Sequence, residues 1–109
     1  MKKGFMVLFL AVSLLLYGTA GFAKETAKGK SGEELFQQHC SSCHPDGGNT
    51  VNPQQTLHKK DLNANKTGKA GDIVKKMRHP GPGMTQFDKK TITDKDAKKI
   101  AEYILNTFK

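Results

Sequence analysis

The clearest periodicity in the chain lies near its end. Ala97, Ile100, Ala101, Ile104, Leu105 and Phe108 fall at the spacing i, i+3, i+4, i+7, i+8, i+11, which draws one apolar stripe down a helix. Thr93 stands where an N-cap belongs, and Asp94 and Asp96 place negative charge in the first turn, where the helix dipole favours it. A second amphipathic stretch, 70–79, puts Ile73, Val74 and Met77 on one side and is stopped by Pro80. A first helix is predicted over about 32–40, capped by Ser31, with Glu33 and Glu34 in its first turn and with Gly32 and Phe36 one turn apart on a shared face. A short helix is predicted over 56–62, with Leu57 and Leu62 turned inward. The intervals 45–53 and 63–69 read as loops, the first because it is rich in Pro, Gly and Asn. Pro80-Gly81-Pro82-Gly83-Met84 excludes both helix and central strand, so it reads as a stiff extended loop with Met84 at its tip. No β-rich run or internal repeat interrupts this pattern, and the fold class is all-α.

The beginning of the chain has a different texture. Lys2 and Lys3 precede an almost wholly apolar run over 5–16, broken only by Ser13, and Gly21-Phe22-Ala23 offers the small residues a signal peptidase reads. The run is shorter than the roughly 20 residues a membrane-spanning helix needs. Residues 1–23 are therefore expected to be a signal peptide cleaved after Ala23, leaving 24–109 as a single domain with no stable membrane insertion. The location implied is the periplasm. Removing Lys2 and Lys3 lowers the net charge from +8 to +6. That balance suits acidic partner proteins or an anionic surface, while aromatics at 7% and no Trp make nucleic acid a poor fit.

The candidate chemistry sits in Cys40-Ser41-Ser42-Cys43-His44. C-x-x-C-H is the spacing for covalent attachment of a c-type haem, with each thiol becoming a thioether and the following imidazole an axial iron ligand. Both sulfurs then lie on one face of a helical turn. Three other readings compete. A thioredoxin-like redox pair belongs beside a β-α-β pattern, which is missing here. A closed zinc site takes four protein ligands, and the chain has one C-x-x-C. A structural disulfide would leave His44 without a role. Export favours haem, since c-type haem is attached outside the cytoplasm.

An iron held by His44 needs a sixth ligand or keeps an open position. Met77, Met84, His58 and His79 lie downstream. Met77 falls on the apolar side of a helix, whereas Met84 sits in a Gly/Pro loop that has no packing reason to keep a methionine. Its soft thioether suits the iron, so Met84 is the expected ligand. An open or labile position would instead make the chain a haem enzyme or a gas or peroxide sensor. A His58 or His79 close to a haem propionate would couple the potential to pH.

The C-x-x-C-H run, the downstream Gly81-Pro82-Gly83-Met84 with Phe87, and the final amphipathic helix together resemble the class I cytochromes c. The closer similarity is to small monohaem cytochromes of the c6 type, through Gly47-Gly48-Asn49-Thr50-Val51-Asn52-Pro53 with Thr56-Leu57, and through Thr93-Asp94 and Ala101-Glu102-Tyr103-Ile104. The chain departs from the family pattern at Thr85, where many relatives carry Pro after the ligand Met. The resemblance implies three to five short helices around one covalently bound haem c, with the first and last helices crossing and Gly32 and Phe36 meeting Ile100 and Tyr103. It implies that a carbonyl near Pro53 accepts the Nδ1 proton of His44, and that Thr56 and Leu57 line the haem pocket. The function implied is that of a one-electron carrier, not an enzyme. It is expected to be a monomer that docks weakly on acidic redox partner proteins through lysines such as Lys59, Lys60, Lys75 and Lys76.

Overall fold

Four α-helices and one 3-10 turn make up the secondary structure of residues 29–109, the part described in this computed structural model. The signal peptide expected over 1–23 lies outside the described residues. Helix α1 (Gly32–His39) starts in a capping box: the Ser31 hydroxyl accepts from the Glu34 amide, and the Glu34 carboxylate accepts from the Ser31 amide at 2.7 Å. It ends when the Cys40 amide donates to the Phe36 carbonyl. Helix α2 (Lys59–Ala64) begins later than the predicted 56–62 and runs further. The reason lies in Thr56, whose hydroxyl accepts from the His58 amide and donates to the Asp61 carboxylate. That local bonding keeps Thr56 outside the helix and makes His58 the N-cap.

Helix α3 (Ala70–Arg78) lies within one residue of its predicted span, and α4 (Asp94–Thr107) opens where expected, with the Thr93 hydroxyl accepting from the Asp96 amide at 3.2 Å. Ile92 just before that cap and Ala97 in the next turn are both buried, the two positions of a hydrophobic staple. The core gathers Leu35 and Phe36 from α1, Leu62 from α2, Ile73 and Met77 from α3, and Ala97, Ile100, Ala101 and Ile104 from α4. Leu105 and Phe108, the outer members of the α4 stripe, are partly buried against it.

Helix α4 is the shared wall of the domain, packed against α1 and α3. Its crossing with α1 is close because Gly32 has no side chain. A Cβ there would run into the Lys99 carbonyl oxygen and lie 3.0 Å from the Tyr103 Cβ. One turn on, the Phe36 ring sits 5.3 Å from Tyr103 and 5.4 Å from Phe108, centroid to centroid, within the range where tilted aromatic pairs attract. The expected crossing of first and last helices is therefore present, with Lys99 and Tyr103 the residues beside Gly32.

Two alanine substitutions test this with opposite signs. Gly71, in the first turn of α3, has nothing within 4 Å of where a Cβ would stand. Gly71→Ala should stabilise the protein by roughly 0.5 kcal/mol through helix propensity and reduced unfolded-state freedom. Gly32→Ala gains the same propensity but should lower stability by about 1–3 kcal/mol through overpacking. Chemical denaturation of the two variants reads both; a Gly32→Ala protein more stable than its parent would mean that the helices do not meet there.

Candidate functional site

Beyond α1 the chain makes one more turn, in which the amides of Cys43 and His44 both donate to the Cys40 carbonyl, at 3.2 and 2.9 Å. That turn brings Cys40, Cys43 and His44 to the wall of a single cavity of about 580 Å³, within the range of ligand pockets. The two sulfurs are not joined to each other in a disulfide. Burial pushes the Cys40 thiol up to about 11, with the neighbouring Cys43 adding to the effect. A closed zinc site takes four protein ligands. Among the described residues there is no group of three or more His, Cys, Asp or Glu placed to hold a metal ion.

The ring of His44 is fixed from behind. Its Nδ1 lies 2.7 Å from the Gly48 carbonyl oxygen. A carbonyl can only accept, so Nδ1 carries the proton and the Nε2 lone pair is left available. The partner is thus Gly48 and not a carbonyl near Pro53. The path of the chain explains the difference. Asp46 and Gly47 both take positive φ (52° and 78°), and the amides of Gly47 and Gly48 fold back onto the carbonyls of His44 and Pro45. The reversal brings Gly48 back to the imidazole, whereas Pro53 is exposed and does not line the cavity.

The loop that follows is braced by Asn49. Its Oδ1 accepts from the amides of Val51 and Asn52 at 3.0 and 2.9 Å, and its Nδ2 donates to the Gln55 carbonyl at 2.8 Å. Leu57 and Thr56 then line the cavity, with Leu57 tied back by its amide to the Gly47 carbonyl at 2.7 Å. Leu62, Ile73, Met77, Phe87 and Ile104 supply much of the apolar wall.

Met84 reaches the same cavity from the Gly/Pro loop and is half-buried. Gly83 beside it has φ +87°, a region that side-chain-bearing residues rarely enter, and a Cβ there would stand 2.7 Å from a methyl of Val51. The loops that carry His44 and Met84 therefore touch at Val51 and Gly83. Of the other candidate ligands, Met77 lines the cavity but is buried in the core at 3% exposure. His58 and His79 are exposed and take no part in the wall. Lys76 lines the cavity, whereas Lys59, Lys60 and Lys75 lie outside it.

Arg78 is the residue that sequence reasoning missed. Its Nη1 donates to the carbonyls of Phe87 and Asp88, and its Nη2 bonds Asp94 Oδ1 at 2.9 Å. A cation in the last turn of a helix reads as ordinary dipole compensation, and nothing in residue order distinguishes it from Lys75 or Lys76.

Thiols, an imidazole with a free nitrogen, a thioether and apolar walls around one cavity fit a flat, largely apolar cofactor with a metal at its centre. An all-helical fold that presents a C-x-x-C-H turn and a methionine loop to one cavity defines a c-type cytochrome. A family model described as cytochrome c oxidase, cbb3-type, subunit III matches residues 27–104. The chain is similar to the cytochrome c6 of Pyropia yezoensis, at 32% identity over 106 residues, covering 97% of this chain and 94% of the relative. It is similar to the cytochrome c6 of a Synechocystis strain at 34% identity over 89 residues, covering 82% and 71% respectively. Among solved structures, the outer membrane cytochrome OmcF of Geobacter sulfurreducens superposes with a TM-score of 0.71 at 44% identity, over 72% of this chain and 100% of that one. The chain belongs to this cytochrome family and is of the c6 type. Members carry one covalently attached haem c and act in electron transfer, not as enzymes.

The Asp94 carboxyl is held below its ordinary value of 3.8, first by the hydrogen bond from Arg78 and then by that from Lys89. A lowered carboxyl pKa contributes stability at pH values above the unfolded aspartate pKa, and this is lost as pH falls through the folded value. Asp94→Asn should therefore be less stable than its parent by a constant margin above about pH 5, a margin that shrinks on acidification below about pH 4. Urea denaturation across this range checks it; a margin that stays flat into acid would show that the ionised Asp94 adds no stability through its pairs with Arg78 and Lys89.

Proposed function

We propose that this chain is a periplasmic one-electron carrier in which His44 and Met84 are the axial ligands of the haem iron. The observation that carries the reading is the site's composition: a single cavity is lined by both thiols, by Met84 and by an imidazole whose Nδ1 is already committed to Gly48. Cys40 and Cys43 would hold the haem as thioethers, with Leu57 among the apolar residues against it. When bound, the haem supplies the Fe(II)/Fe(III) couple. Met84 is preferred to Met77 because Met77 is enclosed in the core, whereas Met84 is half-buried on the Gly/Pro loop that borders the cavity. His/Met ligation favours the reduced iron and so raises the potential.

The apolar wall excludes water from the redox centre, which leaves the protein little to reorganise when the charge changes. Export to the periplasm follows from the leader expected over 1–23 and from where c-type haem is attached. Among the described residues no helix is long and apolar enough to cross a membrane. The net positive charge supports docking on acidic redox partners, and among the described residues Lys76 is the lysine in the cavity wall. Such contacts are small and short-lived, as a carrier requires.

Two experiments follow. The oxidised protein should show the weak far-red sulfur-to-iron absorption band, lost on reduction. Met84→Ala should abolish it, lower the potential by more than about 0.1 V and open the iron to added ligands. A Met84→Ala protein with an unchanged potential and no new ligand binding refutes the assignment, and a parent without the far-red band but with an open iron points to an enzyme or sensor instead. Separately, raising ionic strength from low to about 0.5 M should slow electron transfer with an acidic partner several-fold. A salt-independent rate would remove charge steering from the account.

A further inference from the structure

The side chain of Arg78 is only 13% exposed, though its guanidinium takes no part in the cavity wall. Arginine cannot shed its charge, so such burial has to be matched by partners. The partners are specific. Nη1 bridges the backbone carbonyls of Phe87 at 3.1 Å and Asp88 at 3.0 Å, while Nη2 reaches Asp94 at 2.9 Å. The same turn of α3 makes two further bonds to this segment: Gln86 donates to the Arg78 carbonyl at 2.9 Å, and the Phe87 amide donates to the Met77 carbonyl at 3.0 Å. The fork is so committed to the loop that Nε is buried without a partner among the described residues.

Apart from the one to Asp94, these bonds fall two to four residues after Met84. The amide of Met84 itself makes one long bond, 3.4 Å to the Gly81 carbonyl. On its C-terminal side, the methionine loop is therefore held chiefly by the end of α3, and Arg78 supplies the charge-assisted bonds there.

We propose that Arg78 is a positioning residue for Met84: by clamping the loop at Phe87 and Asp88 it keeps the thioether in place against competing ligands. The inference rests on the assignment of Met84 as the axial ligand. An external ligand binds only when Met84 is displaced, so its apparent affinity is reduced by the fraction of time the loop is in place. Removing the clamp lowers that fraction. Loss of charge-assisted bonds of this kind corresponds to a rise in affinity of about tenfold or more.

The test is a titration of the oxidised holoprotein with imidazole, followed by absorption, together with the far-red band. Arg78→Met should bind imidazole at least about tenfold more tightly than the parent and show a weakened band. Asp94→Asn keeps both Nη1 bonds and should stay within about twofold of the parent. A purely structural role for Arg78 would lower the denaturation midpoint and leave imidazole affinity and band unchanged, which would overturn the proposal while leaving Met84 as ligand. A far-red band missing from the parent would sink the Met84 assignment, and the proposal with it. Should Arg78→Met fail to retain haem, Arg78→Lys decides. Lysine keeps the charge but cannot bridge two carbonyls and a carboxylate at once, so affinity should still rise, and parental affinity in that variant overturns the proposal.

Discussion

The close approach of α1 and α4 governs the rest of this structure. With no side chain at Gly32, the α1 backbone comes against the Lys99 carbonyl, and that proximity lets Phe36 reach Tyr103 and Phe108. Among the described residues, Phe36 is one of the largest fully buried side chains, with Ile92 and Ile100. The C-x-x-C-H turn grows directly out of α1, through amides of Cys40 and Ser41 that both donate to the Phe36 carbonyl. A small domain has few apolar residues to spend on rigidity. Here they are concentrated where the helix that carries the cofactor-binding turn meets its support.

The two loops that reach the cavity are held by different physics. The segment after His44 is stiffened from within: one asparagine accepts and donates to three backbone groups, and two consecutive residues of positive φ reverse the chain. The methionine loop has little internal bonding and is fixed from outside, by a guanidinium at the end of α3. An internally braced loop keeps its shape as long as its own sequence is kept. An externally anchored one depends on a residue that the loop does not contain.

Three helices are legible in the order of residues, because their signals are local. Ser31 with Glu34 caps α1, Pro80 stops α3 just beyond its end, and Thr93 with the apolar stripe from Ala97 onward defines α4. The start of α2 is misjudged because Thr56 has a choice between helix and side-chain bonding that composition does not decide. The cavity-lining roles of Cys40, Cys43, His44 and Met84 are accessible through motif and loop chemistry, and that of Leu57 through the family resemblance. The carbonyl opposite His44 is not, because backbone acceptors are alike in every residue and only the path of the chain selects Gly48 over one near Pro53. Arg78 is hidden for a related reason: its partners are backbone oxygens nine and ten residues away, and no residue type advertises them.

The contact between Val51 and Gly83 ties the variability of two distant positions together. A methyl of Val51 occupies the space into which a Cβ at position 83 would project, so neither site can drift without regard to the other. Among diverging relatives, a residue larger than glycine at the second position should be tolerated only where the first has become small and the local backbone has moved out of positive φ. The pair would then change together, as one inherited unit, even though 31 intervening residues separate them in the chain.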